Sequence, residues 1–147
     1  RRFVAAVAAD EARRAEAGMT AREALRAGLM AALRPVLTPL GVSLFDAVPV
    51  RASVPQAVLG EPGDSDWGAA GIEGRELRVA LTLTDEGEQP RRLRLCVQAA
   101  EAIGLAGVLA DGWRVAGLSM TGTRMAKTGA RWTASVEWRA RLWRVGQ

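Results

Sequence analysis

The sequence predicts an α+β fold: a single mixed, mostly antiparallel β-sheet of four to five strands with two helices packed on one face. The expected order is α-β-β-β-α-β-β, preceded by an N-terminal helical extension. Three observations carry this expectation. Thr20 and Glu23 form an S/T-x-x-E capping box just ahead of a helical apolar pattern. Leu77, Val79, Leu81 and Leu83 alternate with Arg78, Ala80, Thr82 and Thr84, the period of a half-buried strand. The segment "RWTASVEWRARLW" repeats that alternation near the C-terminus.

Residues 1–18 are alanine-rich with Arg and Glu at helical spacings, and read as a weakly apolar helix ended by Gly18. The chain divides into this extension, 1–18, and one domain, 19–147. The capping box begins one residue after Met19, so Met19 is a candidate start and 1–18 either an upstream extension or a native arm. "RRFVAAVAA" mimics a signal peptide, but its apolar part is short and runs straight into "DEARRAEA", which argues against export. The first domain helix is expected over 21–34, with Leu25, Leu29, Ala32 and Leu33 on one stripe and Pro35 as its stop.

In "LFDAVPVRASVPQAVLGE", Pro49 and Pro55 interrupt an apolar segment. Proline cannot donate to a β-ladder, so each is expected at a strand boundary, the two bracketing a turn, "VRAS", between two short strands. "PGDSDWGAAGIEG" reads as a loop, "RELRVALTLTDE" as a strand and "EGEQP" as a turn. "RRLRLCVQAAEAIGLAGVLA" reads as a helix with Leu93, Val97, Ala100 and Ile103 or Leu105 inward. "WRVAGLSM" is expected as a strand and "TGTRMAKTGA" as its connection to the last one. In that last strand Trp132, Ala134, Val136, Trp138, Ala140 and Leu142 face one way, and Arg131, Thr133, Ser135, Glu137, Arg139 and Arg141 the other. It exceeds the usual five or six residues, so it is expected to protrude from the sheet or pair with another chain.

Composition narrows the chemistry. The 147 residues fit one core, and a formal charge of +4 is carried by arginines, Lys127 excepted. Arginine suits protein interfaces and phosphates alike, and is also what a GC-rich codon preference produces. The single cysteine, Cys96, allows no intrachain disulfide, fits a reducing compartment and reads as a small core residue. The longest uncharged run, 35–45, is too short to span a bilayer, so no membrane partner is expected. The chain has no histidine, tyrosine or asparagine, which excludes Ser-His-Asp and Cys-His arrangements and nearly all usual zinc sites. A Ser-Lys dyad would need Lys127, and Ser43, Ser53, Ser65 and Ser119 are scattered. No enzyme, cofactor or metal is therefore expected.

Three weaker signals remain. "TGTRMAKT" approaches a P-loop, but Thr121 and Ala126 stand where both glycines belong. Glu61, Asp64 and Asp66 could approach calcium but lack EF-hand spacing, and a solvated loop is the better reading. Arg131, Arg139 and Arg141, with Arg144 just beyond, form the best nucleic-acid candidate, although Glu137 interrupts them and no recognition motif accompanies them.

The pieces "TAREALRAGLMAAL", "LFDAVP", "VPQAVLGE", "DSDWG", "RELRVALTLTDE" and "RWTASVEWRARL", in this order from Met19 to Leu142, resemble the tail-terminator or tail-completion family of long-tailed phages and gene transfer agents. Two features depart from the family pattern: Gln56 and Ala57 stand where an aromatic often follows the second proline, and residues 1–18 precede the first helix. The resemblance implies a structural virion protein, assembled in the bacterial cytoplasm. It would form a ring, typically a homohexamer, at the head-proximal end of a tail tube, stopping tube growth and joining tail to head. Implied partners are further copies of the chain, the tail tube protein and a head-completion or connector protein, with DNA passing nonspecifically through the lumen. A head-tail connector or minor tail subunit of similar fold is the alternative, and a small nucleic-acid-binding domain a more distant one. Candidate subunit-interface residues are Trp67, Arg124, Lys127, Arg131, Arg139, Arg141 and Trp143, and the loops expected over 62–74 and 121–130 are the segments expected to meet neighbouring rings.

Overall fold

The computed structural model describes residues 18–51 and 53–146. The helix expected over 1–18 lies outside the described residues, Gly18 excepted. Helix α1 spans Ala21–Leu37 and begins where the capping box places it: the Thr20 hydroxyl accepts from the Glu23 amide at 3.2 Å. Its inward stripe is Ala21, Ala24, Leu25, Leu29, Met30, Leu33 and Leu37. Pro35 does not stop it. The helix runs to Leu37, the Thr38 amide bonds the Arg34 carbonyl, and a 3-10 turn, Thr38–Leu40, leads to Gly41 at φ 78. Full burial of Leu37 contributes about 1.5–3 kcal/mol, enough to offset most of a proline's cost of roughly 3 kcal/mol in a helix interior.

Six strands form one mixed sheet: β1 Ser43–Phe45, β2 Gln56–Leu59, β3 Gly63–Asp66, β4 Ile72–Glu86, β5 Arg114–Thr128 and β6 Arg131–Val145. Helix α2, Arg91–Glu101, connects β4 to β5. The spatial order is β1-β2-β4-β6-β5, with β3 pairing β4 alongside β2; only β1 and β2 run parallel. The α+β class, the mixed sheet and the paired helices agree with the sequence reading. The additional strand, β3, comes from the segment expected to be a loop, "PGDSDWGAAGIEG".

The long last strand neither protrudes nor seeks another chain. β6 lies inside the sheet, matched to β4 from Ile72↔Val145 to Glu86↔Arg131 and to β5 on its other side. Among the described residues the free edge on this side is β5, and "TGTRMAKTGA" is its second half plus the turn at Gly129, φ 63. The strand expected over 113–120 is the first half of β5, and the register shift between Met120 and Gly122 explains why the sequence reading ended it there; a second shift lies between Val115 and Gly117. Each bulge inserts a residue and moves the inward positions by one, breaking the period-two signal. Pro55 does precede β2, and its carbonyl accepts from the Ser43 amide at 3.2 Å. Pro49 sits inside the connection rather than at a strand boundary, because parallel β1 and β2 require a crossover instead of the expected tight turn.

The core fills the space between the inner sheet face and the helices. Leu77, Val79, Leu81, Leu83, Ala134, Val136, Trp138, Ala140 and Leu142 meet Leu25, Leu29 and Leu33 of α1 and Leu93, Cys96, Val97 and Ala100 of α2. Cys96 is fully buried, and desolvation pushes its thiol pKa up, away from the reactive thiolate. Helix α2 ends at Glu101, so Ile103 and Leu105 pack on the core from a loop rather than from the helix.

Candidate functional site

The side chains of β6 that point away from the helices are Arg131, Thr133, Ser135, Glu137, Arg139, Arg141 and Trp143. Register with β4 sets the acids of that strand against its arginines. Arg141 stands opposite Glu76 and bonds it at 3.1 Å; Arg131 stands opposite Glu86 and bonds it at 3.0 Å. Arg139 faces Arg78, and Arg78 reaches Glu76 at 3.8 Å. A face read from sequence as free positive charge is in large part a ladder of cross-strand ion pairs, which weakens its claim on phosphate.

Arg144 does not belong to that face. It lies on the helix side, 4.3 Å from the centroid of the buried Trp113 ring, and bonds Glu73 at 2.7 Å and Asp111 at 3.0 Å. Asp111 also accepts from the Met19 amide at 2.6 Å, and the Met19 carbonyl accepts from the Trp113 indole at 2.9 Å. Hydrogen bonding to Glu73 raises the Arg144 pKa above its ordinary value, with Asp111 adding to it. This cluster fastens Met19, just ahead of α1, to the start of β4 and the end of β6.

The sequence-predicted contact residues fall into two groups. Trp67, Arg141 and Trp143, with Arg139 beside them, gather at the end of the sheet near the β3–β4 turn. Arg124, Lys127 and Arg131 lie toward the tip of the β5–β6 hairpin. Arg131 and Arg141 are ten residues apart on one strand, about 34 Å at the usual rise. At the tip, Arg124 is exposed, and the Lys127 ammonium sits 5.4 Å over the half-buried Trp132 ring. The segments 62–74 and 121–130 are therefore hairpin arms of the sheet rather than loops.

At the other end, the Arg141 guanidinium lies 5.4 Å over the Trp67 ring and that of Arg114 lies 5.6 Å over Trp143. Trp67 is placed by a tight fold of the chain: its amide bonds the Gly74 carbonyl at 2.9 Å, and Asp66 accepts from the Gly68 amide at 3.0 Å. The crossing requires glycine, since a Cβ on Gly68 would come 2.7 Å from the Ile72 carbonyl oxygen and one on Gly74 3.0 Å from the Gly68 Cα. The result is an open apolar groove of about 320 Å³ lined by Trp67, Ala69, Ile72, Ala116 and Trp143. Sequence reasoning missed Ile72, Ala116 and Arg114. Ile72 was assigned to a loop, and Ala116 sits at a bulge that destroys alternation; the glycines of "DWGAAGIEG" were the available signal.

The acidic segment does not assemble as a metal site. Glu61 pairs with Arg26 of α1, Asp64 with Arg75 at 3.0 Å, and Asp66 with the Gly68 amide. Among the described residues no three His, Cys, Asp or Glu side chains converge to hold a metal ion, and no helix is long and apolar enough to cross a membrane. Asp85, buried at the end of β4, is gripped by Arg92 of α2 at 2.6 and 2.8 Å. The Arg92 hydrogen bonds hold its carboxyl below the usual carboxylate range.

The outer side of the sheet thus combines long hairpin arms, cross-strand paired charge and an aromatic-arginine groove. The chain belongs to the tail completion protein gp17 family, whose profile matches residues 23–143. It is a structural protein of a phage-like tail and a component of the virion. Among solved structures, a chain from the virion of a native gene transfer agent particle shares the fold. The two match with a TM-score of 0.67 at 21% identity, over 81% of this chain and 94% of that one. A search of curated proteins returns no match.

Proposed function

We propose that the chain forms a ring, a homohexamer, at the head-proximal end of a phage-like tail tube, where it ends tube polymerisation and joins the tail to head-completion proteins. The observation that carries this reading is family membership across the whole α+β unit, residues 23–143. The architecture supports it. A ring needs two different surfaces on each subunit that meet head to tail, and this sheet offers a free edge at β5 and a different edge at β1. The hairpin arms at 62–74 and 121–130 extend the sheet and suit contact with the layers above and below.

DNA would pass through the lumen without base-specific contact, since Arg131 and Arg141 of β6 are engaged by Glu86 and Glu76. The fold shared with a gene transfer agent chain is compatible with either an infectious phage or a gene transfer agent as the parent particle. Mass photometry with and without the tail tube subunit tests the proposal. A species of six copies of the 15.6 kDa chain is expected at least when tube protein is present. A strictly monomeric protein that leaves tube ends uncapped would overturn it. A connector or minor tail subunit would instead copurify with head proteins and leave tube length unchanged.

A further inference from the structure

The ring reading needs a specific pair of complementary patches, and the exposed β1–β2 connection together with the Trp67/Trp143 groove provides one. The first is the connection between β1 and β2. Val48 and Val50 are 83% and 101% exposed, with half-buried Pro49 between them, so two valines project from the connection that follows β1. Such exposure costs solubility unless something covers it. The second is the groove of Trp67, Ala69, Ile72, Ala116 and Trp143 on the outer face, spanning the β3–β4 turn, the start of β4, the end of β6 and the start of β5, where Trp67 and Ile72 are exposed.

We infer that the Val48-Pro49-Val50 tip of one copy inserts into the Trp67/Ile72/Ala116/Trp143 groove of the next, as the anchor of the ring contact. Phe45, from which the tip departs, aligns through Val58 with Thr82 of β4, ten residues or about 34 Å along that strand from Ile72, and the three residues from Phe45 to Val48 span about 10 Å at most, so one molecule cannot satisfy itself. A tip and a groove at separate places on each subunit make a heterologous contact, which propagates head to tail and closes by rotation. The charges agree: Asp46 beside the tip and Arg114 on the groove rim each lack an ion-pair partner among the described residues, and insertion brings opposite signs together. The groove also has the Trp and Arg composition of binding hot spots, and a proline-stiffened tip loses little entropy on docking. This inference rests on the ring reading and supplies its interface.

The test uses the full chain with Val50→Asp as the tip variant and Ala116→Arg as the groove variant. Both positions are exposed, so unchanged thermal unfolding is expected and checks the fold. Each variant alone, with tube subunit present, associates at least about tenfold more weakly than the wild type. An equimolar mixture of the two forms dimers and nothing larger, because only one intact tip and one intact groove can meet. In parallel, Val50→Cys protein mixed with Ala116→Cys protein gives a disulfide-linked dimer on mild oxidation that neither gives alone. Wild-type rings undisturbed by both variants, with no cross-link, overturn the inference while leaving the ring reading intact. A wild type that stays monomeric with tube present, and does not cross-link, overturns both. Docking of the tube subunit in the groove, seen as Ala116→Arg losing tube binding but not self-association, also overturns it.

Discussion

Asp85 shows how one side chain ties two elements together. Its carboxylate is 5% exposed and meets the Arg92 guanidinium at 2.6 and 2.8 Å, while also accepting from the Glu86 amide at 2.8 Å. Asp85→Ala is expected to cost about 1.5–3 kcal/mol at pH 7, the range for hydrogen bonds to charged groups, measured by urea unfolding. Arg92→Ala is expected to cost at least as much, because it strands a buried carboxylate. The folded pKa of Asp85 is lowered, so its contribution is present above the unfolded value of 3.8 and is lost as pH falls through the folded value. The wild-type advantage over Asp85→Ala should therefore shrink between pH 5 and pH 2; an advantage that is constant over this range would contradict the assignment.

At the scale of elements, alternation and capping succeeded where nothing interrupted them. The Thr20 cap was legible, and Thr20→Ala is expected to lower stability by about 0.5–2 kcal/mol in thermal or urea unfolding. Strands β4 and β6 were legible because their inner faces are unbroken runs of Leu, Val, Ala and Trp. The first half of β5 was legible as "WRVAGLSM", while its second half was hidden by the bulge after Met120, and β3 by a composition of Gly, Asp and Ser that marks loops in general. The pairing of β6 on both sides could not be inferred from its own residues, since length alone cannot distinguish a protruding strand from one matched by two long neighbours. Of the contact residues, Trp67, Arg141 and Trp143 do converge, but through the glycine crossing at Gly68 and Gly74. Gly74→Val should displace the Trp67 segment and cost about 1–3 kcal/mol, with unfolding monitored by calorimetry and loss of the Arg141 stacking by structure determination.

For the whole molecule, the core packing and the proposed contact surfaces fall on opposite faces of one sheet. The inner face is committed to the helices and carries the core, while the outer face, the two edges and the hairpin tips are left to make contacts. A protein that must present several surfaces at once benefits from this division, because contact residues can change without disturbing the packing that holds them. The Arg144 cluster extends the same logic to the N-terminal side of the domain, where Met19 is held against Asp111 and Trp113. The most direct test of the proposed role is polymerisation of the tail tube subunit in the presence of this protein, followed by electron microscopy. Tubes that stop growing and carry a ring of this chain at one end are the predicted result; tubes that lengthen as freely as in its absence, with no density added at either end, would contradict it.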